Sequence, residues 1–314
     1  MISNPTVFTK VISPLSQNIV KTLLYFEIFH HPMTQEEIAE HCHCYAINLA
    51  EIAAELEQLV ERGIVELRDS FYFMGKDAFI IERRQEGSLR AEKYLKIARR
   101  VSKLISFFPF VKAVFISGSL SKGYVDKNGD IDFFIVTTTN RLWLCRTLLV
   151  LFKKVFLLNS RKYFCVNYFL SIDNLEIPDK NIFTATELIF VIPTYNLQLH
   201  AEFIHANQWY VQYYPNKNFT EHKHLAVSEP VVKRFLEMIF NGNLGKKLDE
   251  FCFQWTMKTW ARKFKNFDPT SFDLNFRSRN NVSKHHPKGF QFKVIEEYQQ
   301  KINEFETKFG IKLN

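Results

Sequence analysis

Glycine and proline are scarce in this chain, ten of each among 314 residues. So few breakers leave little room for long flexible linkers, and the chain is expected to be dense in regular elements. Cysteine is also sparse. Five scattered residues, an odd number, do not make a disulfide framework and point to reduced thiols and a cytoplasmic setting. No apolar run reads as a membrane span. The nearest, residues 142–158 (LWLCRTLLVLFKKVFLL), is too short and carries Arg146, Lys153 and Lys154, so it reads as a buried helix and no membrane partner is expected. The opening MISNPTVFTKVISPL lacks the basic-then-apolar order and small-residue cleavage site of a secretory leader, and none is expected.

What is present is a hydrophobic content of 46% with 24% charged residues, and 32 phenylalanines. That is the balance of a soluble globular chain, long enough for two or three domains. The net charge of +8 is unevenly placed. Residues 34–62 hold seven acids (Glu36, Glu37, Glu40, Glu51, Glu55, Glu57, Glu61) against Arg62. Residues 82–103 hold eight bases against Glu82, Glu86 and Glu92, and residues 262–293 are basic again. The default reading of the 82–103 run is the solvated flank of a helix; the alternative is the lining of a cleft, where it would attract a triphosphate or an anionic acceptor.

The most informative stretch is residues 112–136, KAVFISGSLSKGYVDKNGDIDFFIV. Residues 112–117 form an apolar run expected to be a buried strand. Gly118 and Ser119 then open a polar loop with turn-forming residues as far as Gly129. A second strand is expected over residues 130–136, with Asp130 and Asp132 projecting to one face and Ile131, Phe133 and Ile135 entering the core. Two carboxylates at that spacing repel unless a cation lies between them, and hard oxygen ligands suit Mg²⁺ or Mn²⁺. The Gly118–Ser119 turn offers backbone N–H groups and a hydroxyl to phosphate oxygens. Together these features point to phosphoryl or nucleotidyl transfer.

Gly-Ser, then Asp-Ile-Asp inside an apolar strand, resembles the signature of the DNA polymerase β-like nucleotidyltransferase superfamily. The resemblance implies that Gly118 and Ser119 hold a nucleoside triphosphate and that Asp130 and Asp132 bind the metals. It also implies a third acid on a neighbouring strand. In the apolar segment over residues 161–171 (RKYFCVNYFLS), the matching position is Asn167, flanked on the same face by Cys165 and Phe169. An amide oxygen can ligate a cation, so Asn167 stays a candidate metal ligand, but it contributes no charge and cannot serve as a base. Asp173, or Glu187 on a helix expected over residues 184–191, are the substitutes. Lys122 and Arg146, the latter early in a helix expected to be capped by Asn140, are the candidates for offsetting phosphate charge. The later stretches FTATELIFVIPTYN and NQWYVQYYPN extend the resemblance to a bacterial branch of the superfamily with a winged-helix-like N-terminal region.

Over the first eighty residues, a helix is expected over residues 16–30 and a second from Thr34, whose Glu37 completes a capping box. A third carries Leu49, Ile52, Ala53, Leu56, Leu59 and Val60 at helical spacing and ends at Gly63. A hairpin around residues 68–70 follows, giving the order of a winged helix-turn-helix. Glu51, Glu55, Gln58 and Glu61 on the outward face of the third helix argue against DNA binding, which depends on cations. The run His41-Cys42-His43-Cys44 has no complementary ligand pair at a zinc-finger spacing and reads as a polar turn. In the last third, aromatics around Trp209 and Tyr210 read as core packing. A helix broken near Asn241-Gly242 is expected over residues 230–263, a basic loop with Asp268-Pro269 and Pro287 over 266–288, and an amphipathic helix over 290–309. The adjacent His285 and His286 cannot both face one centre from a regular element.

The expected protein is therefore α+β: a winged-helix-like domain over residues 1–80, a small mixed-sheet nucleotidyltransferase core over 81–196 and a helical C-terminal region over 197–314. The expected activity is Mg²⁺- or Mn²⁺-dependent transfer from a nucleoside triphosphate to a protein, small-molecule or nucleic-acid acceptor. The alternatives are a binding or regulatory module of the same fold without the chemistry, and a winged-helix regulator of transcription.

Overall fold

The computed structural model describes residues 11–45, 48–75, 77, 79–219, 230–265, 272, 276–285 and 289–313. The chain is a mixed α+β protein that divides into two compact units. One comprises residues 1–86, 209–219 and 291–314, the other residues 87–208 and 220–290.

The first unit starts with α1 (Pro14–Glu27), where Ser13 caps the helix and Pro14 occupies the first turn, a position that needs no N–H donor. Helix α2 (Gln35–His41) opens on the expected capping box. The Glu37 N–H donates to Thr34 Oγ1 at 3.3 Å and the Thr34 N–H donates to the Glu37 carboxylate at 2.9 Å. Helix α3 (Leu49–Glu61) buries Ile52, Leu56 and Leu59, whereas Leu49, at its first turn, is exposed. Gly63, at φ +63°, lets the chain leave the helix. Strands β1 (Glu66–Arg68) and β2 (Phe71–Phe73) pair antiparallel through Asp69 and Ser70, both at positive φ, the turn that suits strand twist. Glu55 departs from expectation: its carboxylate accepts the Ser13 hydroxyl at 2.7 Å and the Ser16 hydroxyl, so it faces α1 and not solvent. Glu51, Glu57, Gln58 and Glu61 stay exposed.

Helix α4 (Ile80–Ser106) spans the boundary at residues 86 and 87. The second unit is built on a six-stranded mixed sheet. Its strands are β3 (Val111–Ser117), β4 (Asp132–Thr137), β5 (Cys165–Ser171), β6 (Ile192–Tyr195), β7 (Ser278–Arg279) and β8 (Val282–Lys284), in the order β6-β3-β4-β5-β8-β7. A one-turn helix, α5 (Gly118–Ser121), follows β3, which pairs antiparallel with β4. Helix α6 (Leu142–Phe156) carries the chain from β4 to its parallel neighbour β5. On one face of the sheet, Val114, Ile116, Ile131, Phe133, Ile135, Val166 and Phe169 form a single core with Ala98 and Ile105 of α4 and Leu142, Cys145 and Leu149 of α6. On the other face the rings of Phe115, Phe134 and Tyr168 stack in a row, and Phe203 of α8 (Leu197–Ala206) packs on the first two. Burial on both faces explains why these strands read as continuous apolar runs. Further α-helices among the described residues are α7 (Ile182–Ile189), α9 (Val231–Phe240), α10 (Asn243–Lys263) and α11 (Phe290–Phe309). No described helix is long and apolar enough to cross a membrane.

Several local expectations are corrected. Residues 118–121 are a helical turn and not open loop, and β4 begins at Asp132, so Asp130 precedes the strand. Asn140 lies at φ +56° and does not cap α6. Arg141 holds that position, and the buried Asp249 accepts the Leu144 N–H at 2.8 Å in place of a local cap. The helix near Glu187 begins two residues early, capped by Asn181. The supposed loop over residues 266–288 includes β7 and β8, which add a hairpin beside β5. Asp268, Pro269, His286 and Pro287 lie outside the described residues. Of residues 197–314, residues 209–219 and 291–314 fall in the first unit and the rest in the second.

Candidate active site

Strand pairing brings three segments to one end of the sheet. Ser117, the last residue of β3, pairs with Asp132, and Asp132 lies beside Cys165 at the start of β5. Asp130 is held at the same end because Ile131 is bonded twice to the segment entering β5: its N–H donates to the Lys162 carbonyl at 3.0 Å and its carbonyl accepts the Cys165 N–H at 3.1 Å. A carboxylate oxygen from each of Asp130 and Asp132 and the Cys165 sulfur all lie within 4.8 Å of one another. Both acids are half-buried and the thiol is buried.

Gly118 is where the backbone meets this cluster. Its φ of +70° is a left-handed conformation that favours glycine, and a Cβ placed there would lie 2.5 Å from Oδ2 of Asp132. Helix α5 rises from this point, and the first N–H groups of a helical turn have no acceptor within it. Lys122 closes the turn. Its Nζ donates to the Gly118 carbonyl at 3.1 Å and pairs with Glu187 of α7 at 2.7 Å.

Asn167 reaches the cluster through a β-bulge. Phe133 pairs with Val166 and Phe134 with Tyr168, so Asn167 is the extra residue of β5. The bulge breaks the expected alternation of Cys165, Asn167 and Phe169, since Val166 and Phe169 now enter the same core. The freed side chain donates from Nδ2 to Oδ1 of Asp132 at 2.5 Å, and its Oδ1 accepts the Cys165 thiol at 3.2 Å. Asn167 thus supplies a donor to the acid; its oxygen faces the thiol.

The charge balance at this end is negative. Burial, and then the neighbouring Asp130 charge, push the Asp132 carboxyl up to about 7, with Glu187 adding to the effect and Lys122 opposing it. Burial and the two carboxylates push the Cys165 thiol above its ordinary range. Lys122, the cation acting on Asp132, is already paired with Glu187. Two juxtaposed carboxylates, one resting on a glycine that leaves no room for a side chain, are a donor set that fits a divalent cation.

No family model, curated protein or solved structure matches the chain.

Of the residues singled out from sequence, Gly118, Ser119, Lys122, Asp130, Asp132 and Asn167 gather at this end of the sheet, and Glu187 joins them through Lys122. Asp173 does not. It follows the far end of β5, beyond the Thr137–Ser171 pair, where it accepts the Thr139 hydroxyl at 2.9 Å and the Ser171 hydroxyl. Arg146 does not either. Its guanidinium is buried against the Trp143 and Trp260 rings, at 5.6 and 4.8 Å, and burial alone lowers its pKa to about 10. Cys165 is the residue that sequence reasoning passed over as a donor. Its position two residues before Asn167, on the strand expected beside the acids, was the available signal. Cys42 and Cys44 lie thiol to thiol at 3.3 Å and form no metal-binding group among the described residues.

Proposed function

We propose that the chain is a divalent-cation-dependent nucleotidyltransferase that moves a nucleoside monophosphate from a nucleoside triphosphate to an acceptor. The observation that carries this reading is the contact of Asp132 with Gly118, which sets a carboxylate pair directly against a turn of backbone donors. Asp130 and Asp132 would hold the divalent cation, which when bound neutralises and polarises the phosphates. The amides of α5 and the Ser119 hydroxyl donate to the oxygens of the departing pyrophosphate, and Lys122 adds positive charge beside them. Attack by an acceptor hydroxyl on the α-phosphorus forms one P–O bond and breaks the bond to the β-phosphate. Pyrophosphate and a proton leave. Calorimetry with ATP, GTP, CTP and UTP in the presence of Mg²⁺, Mn²⁺, Co²⁺ or Zn²⁺ in turn tests the reading, and the absence of binding to all four nucleotides with every cation would refute it.

Asn167 supports a second reading, a nucleotide-binding module of the same fold that has lost the transfer step. Where the resemblance implies a third acid, the chain places an amide that donates to Asp132 and cannot accept a proton. Nucleotide binding without incorporation of label from α-labelled triphosphate into any acceptor class would favour this module over the enzyme.

A further inference from the structure

The start of β5 carries a donor of a different chemical kind from the two acids. The Cys165 sulfur lies within 4.8 Å of one oxygen on each of Asp130 and Asp132. Its backbone is fixed by pairing with Asp132 in the parallel ladder, through its N–H bond to the Ile131 carbonyl at 3.1 Å. The side chain is only 4% exposed, so it addresses the cluster and not solvent. Its bond to Asn167 Oδ1 orients the S–H group among the donors, and the same amide fixes Asp132 from its other end. Donors around a tetrahedral cation lie roughly 3–4 Å apart, given metal–oxygen bonds of about 2.0 Å and metal–sulfur bonds of about 2.3 Å. The three donor atoms, all within 4.8 Å of one another, lie near that spacing.

We propose that Asp130, Asp132 and Cys165 form one mixed carboxylate–thiolate site that selects a thiophilic divalent cation of the Zn²⁺ and Co²⁺ class over Mg²⁺. The inference rests on reading the acid pair as a cation site, and it is independent of the nucleotide chemistry. Two hard oxygens alone give no preference for a soft ion; a thiolate does. Binding converts the Cys165 S–H to a sulfur–metal bond and releases its proton to solvent, with no change in oxidation state. Asn167 then acts as a positioning residue, holding Asp132 in place while its oxygen loses the thiol proton.

Titration of the full chain with Co²⁺ reads the sulfur–metal bond directly as a thiolate-to-cobalt charge-transfer band. The expected result is one such band at one equivalent, displaced by Zn²⁺ and not by a large excess of Mg²⁺. The band should vanish in Cys165→Ser and in Asp130→Asn, and persist in a Cys42→Ser, Cys44→Ser variant. Zn²⁺ affinity should fall about tenfold or more in Cys165→Ser, while the weak Mg²⁺ affinity stays unchanged. Cobalt binding to the wild-type chain without a charge-transfer band would overturn the proposal, a result that needs no variant to fold. A band that survives Cys165→Ser or disappears with the Cys42 and Cys44 pair would overturn it too. A band accompanied by silent nucleotide calorimetry would leave this site standing and remove the transferase reading.

Discussion

Asn167 steps out of the β5 ladder and donates its amide to Asp132 at 2.5 Å. The bond holds a carboxylate that carries a neighbouring acid and little compensating charge. Asn167→Ala removes that donor and leaves Oδ1 of Asp132 without it, at a cost of about 1–3 kcal/mol in denaturant unfolding. Asn167→Asp should act in two directions. Without a cation the third acid lowers the melting temperature; with Mn²⁺ or Zn²⁺ it should give a larger thermal upshift than the wild-type chain shows. Equal upshifts in the two proteins would speak against a cation between the acids.

Gly118 and Gly123 make a matched pair, because both lie near φ +70° and only Gly118 meets a neighbour. Gly123→Ala should cost about 1–2 kcal/mol from its left-handed backbone alone. Gly118→Ala bears that cost and also drives Asp132 away from its bond with Asn167. The expected outcome is a greater loss of stability for Gly118→Ala, together with loss of cation and nucleotide binding. Thermal melts and calorimetry on the two variants make the comparison.

The pH response follows from Asp132. Its pKa rises from the ordinary 3.8 to about 7 on folding, so between those values the folded chain binds the extra proton. Stability from this group is therefore full below about pH 4 and is lost as pH rises through about 7. A divalent cation competes with the same proton, so its stabilising effect should be larger at about pH 8 than at about pH 6. Melting curves with and without Mn²⁺ at the two pH values check the sign, and Asp132→Asn should flatten the difference.

Arg146 gives a negative control for the site. Its guanidinium is packed against two tryptophans, and no acid contributes to its lowered pKa. A buried charge of this kind is replaced by an apolar chain at little cost. Arg146→Met should keep the melting temperature within a few degrees and leave nucleotide affinity unaltered, as measured by calorimetry. A tenfold loss of affinity would return Arg146 to the phosphate-binding set.

Lys122 and Glu187 carry the last prediction. Glu187→Gln frees Lys122 Nζ from its 2.7 Å ion pair and removes one of the acids that raise the Asp132 pKa. Triphosphate affinity is expected to increase several-fold, whereas Lys122→Met should reduce it, both read in the same titration. If Lys122→Met binds nucleotide as tightly as the wild-type chain, the lysine has no part in holding phosphate.

Local chemistry written in the chain determined much of this protein. The Thr34–Glu37 capping box, the stop at Gly63, the break before Asn243 and the apolar strands around Gly118 and Asp132 all depend on residues within a few positions of one another. Tertiary structure decided which distant side chains share the site. The bulge at Asn167 turned its amide nitrogen to Asp132 and its oxygen to the Cys165 thiol, and the parallel register of β4 and β5 put Cys165 beside Asp132 and carried Asp173 to the opposite end. Helix packing buried Arg146 among aromatic rings. Periodicity specifies which face of an element is apolar. Strand direction, register and bulge position follow from packing across the whole sheet, and no short window of sequence contains that information.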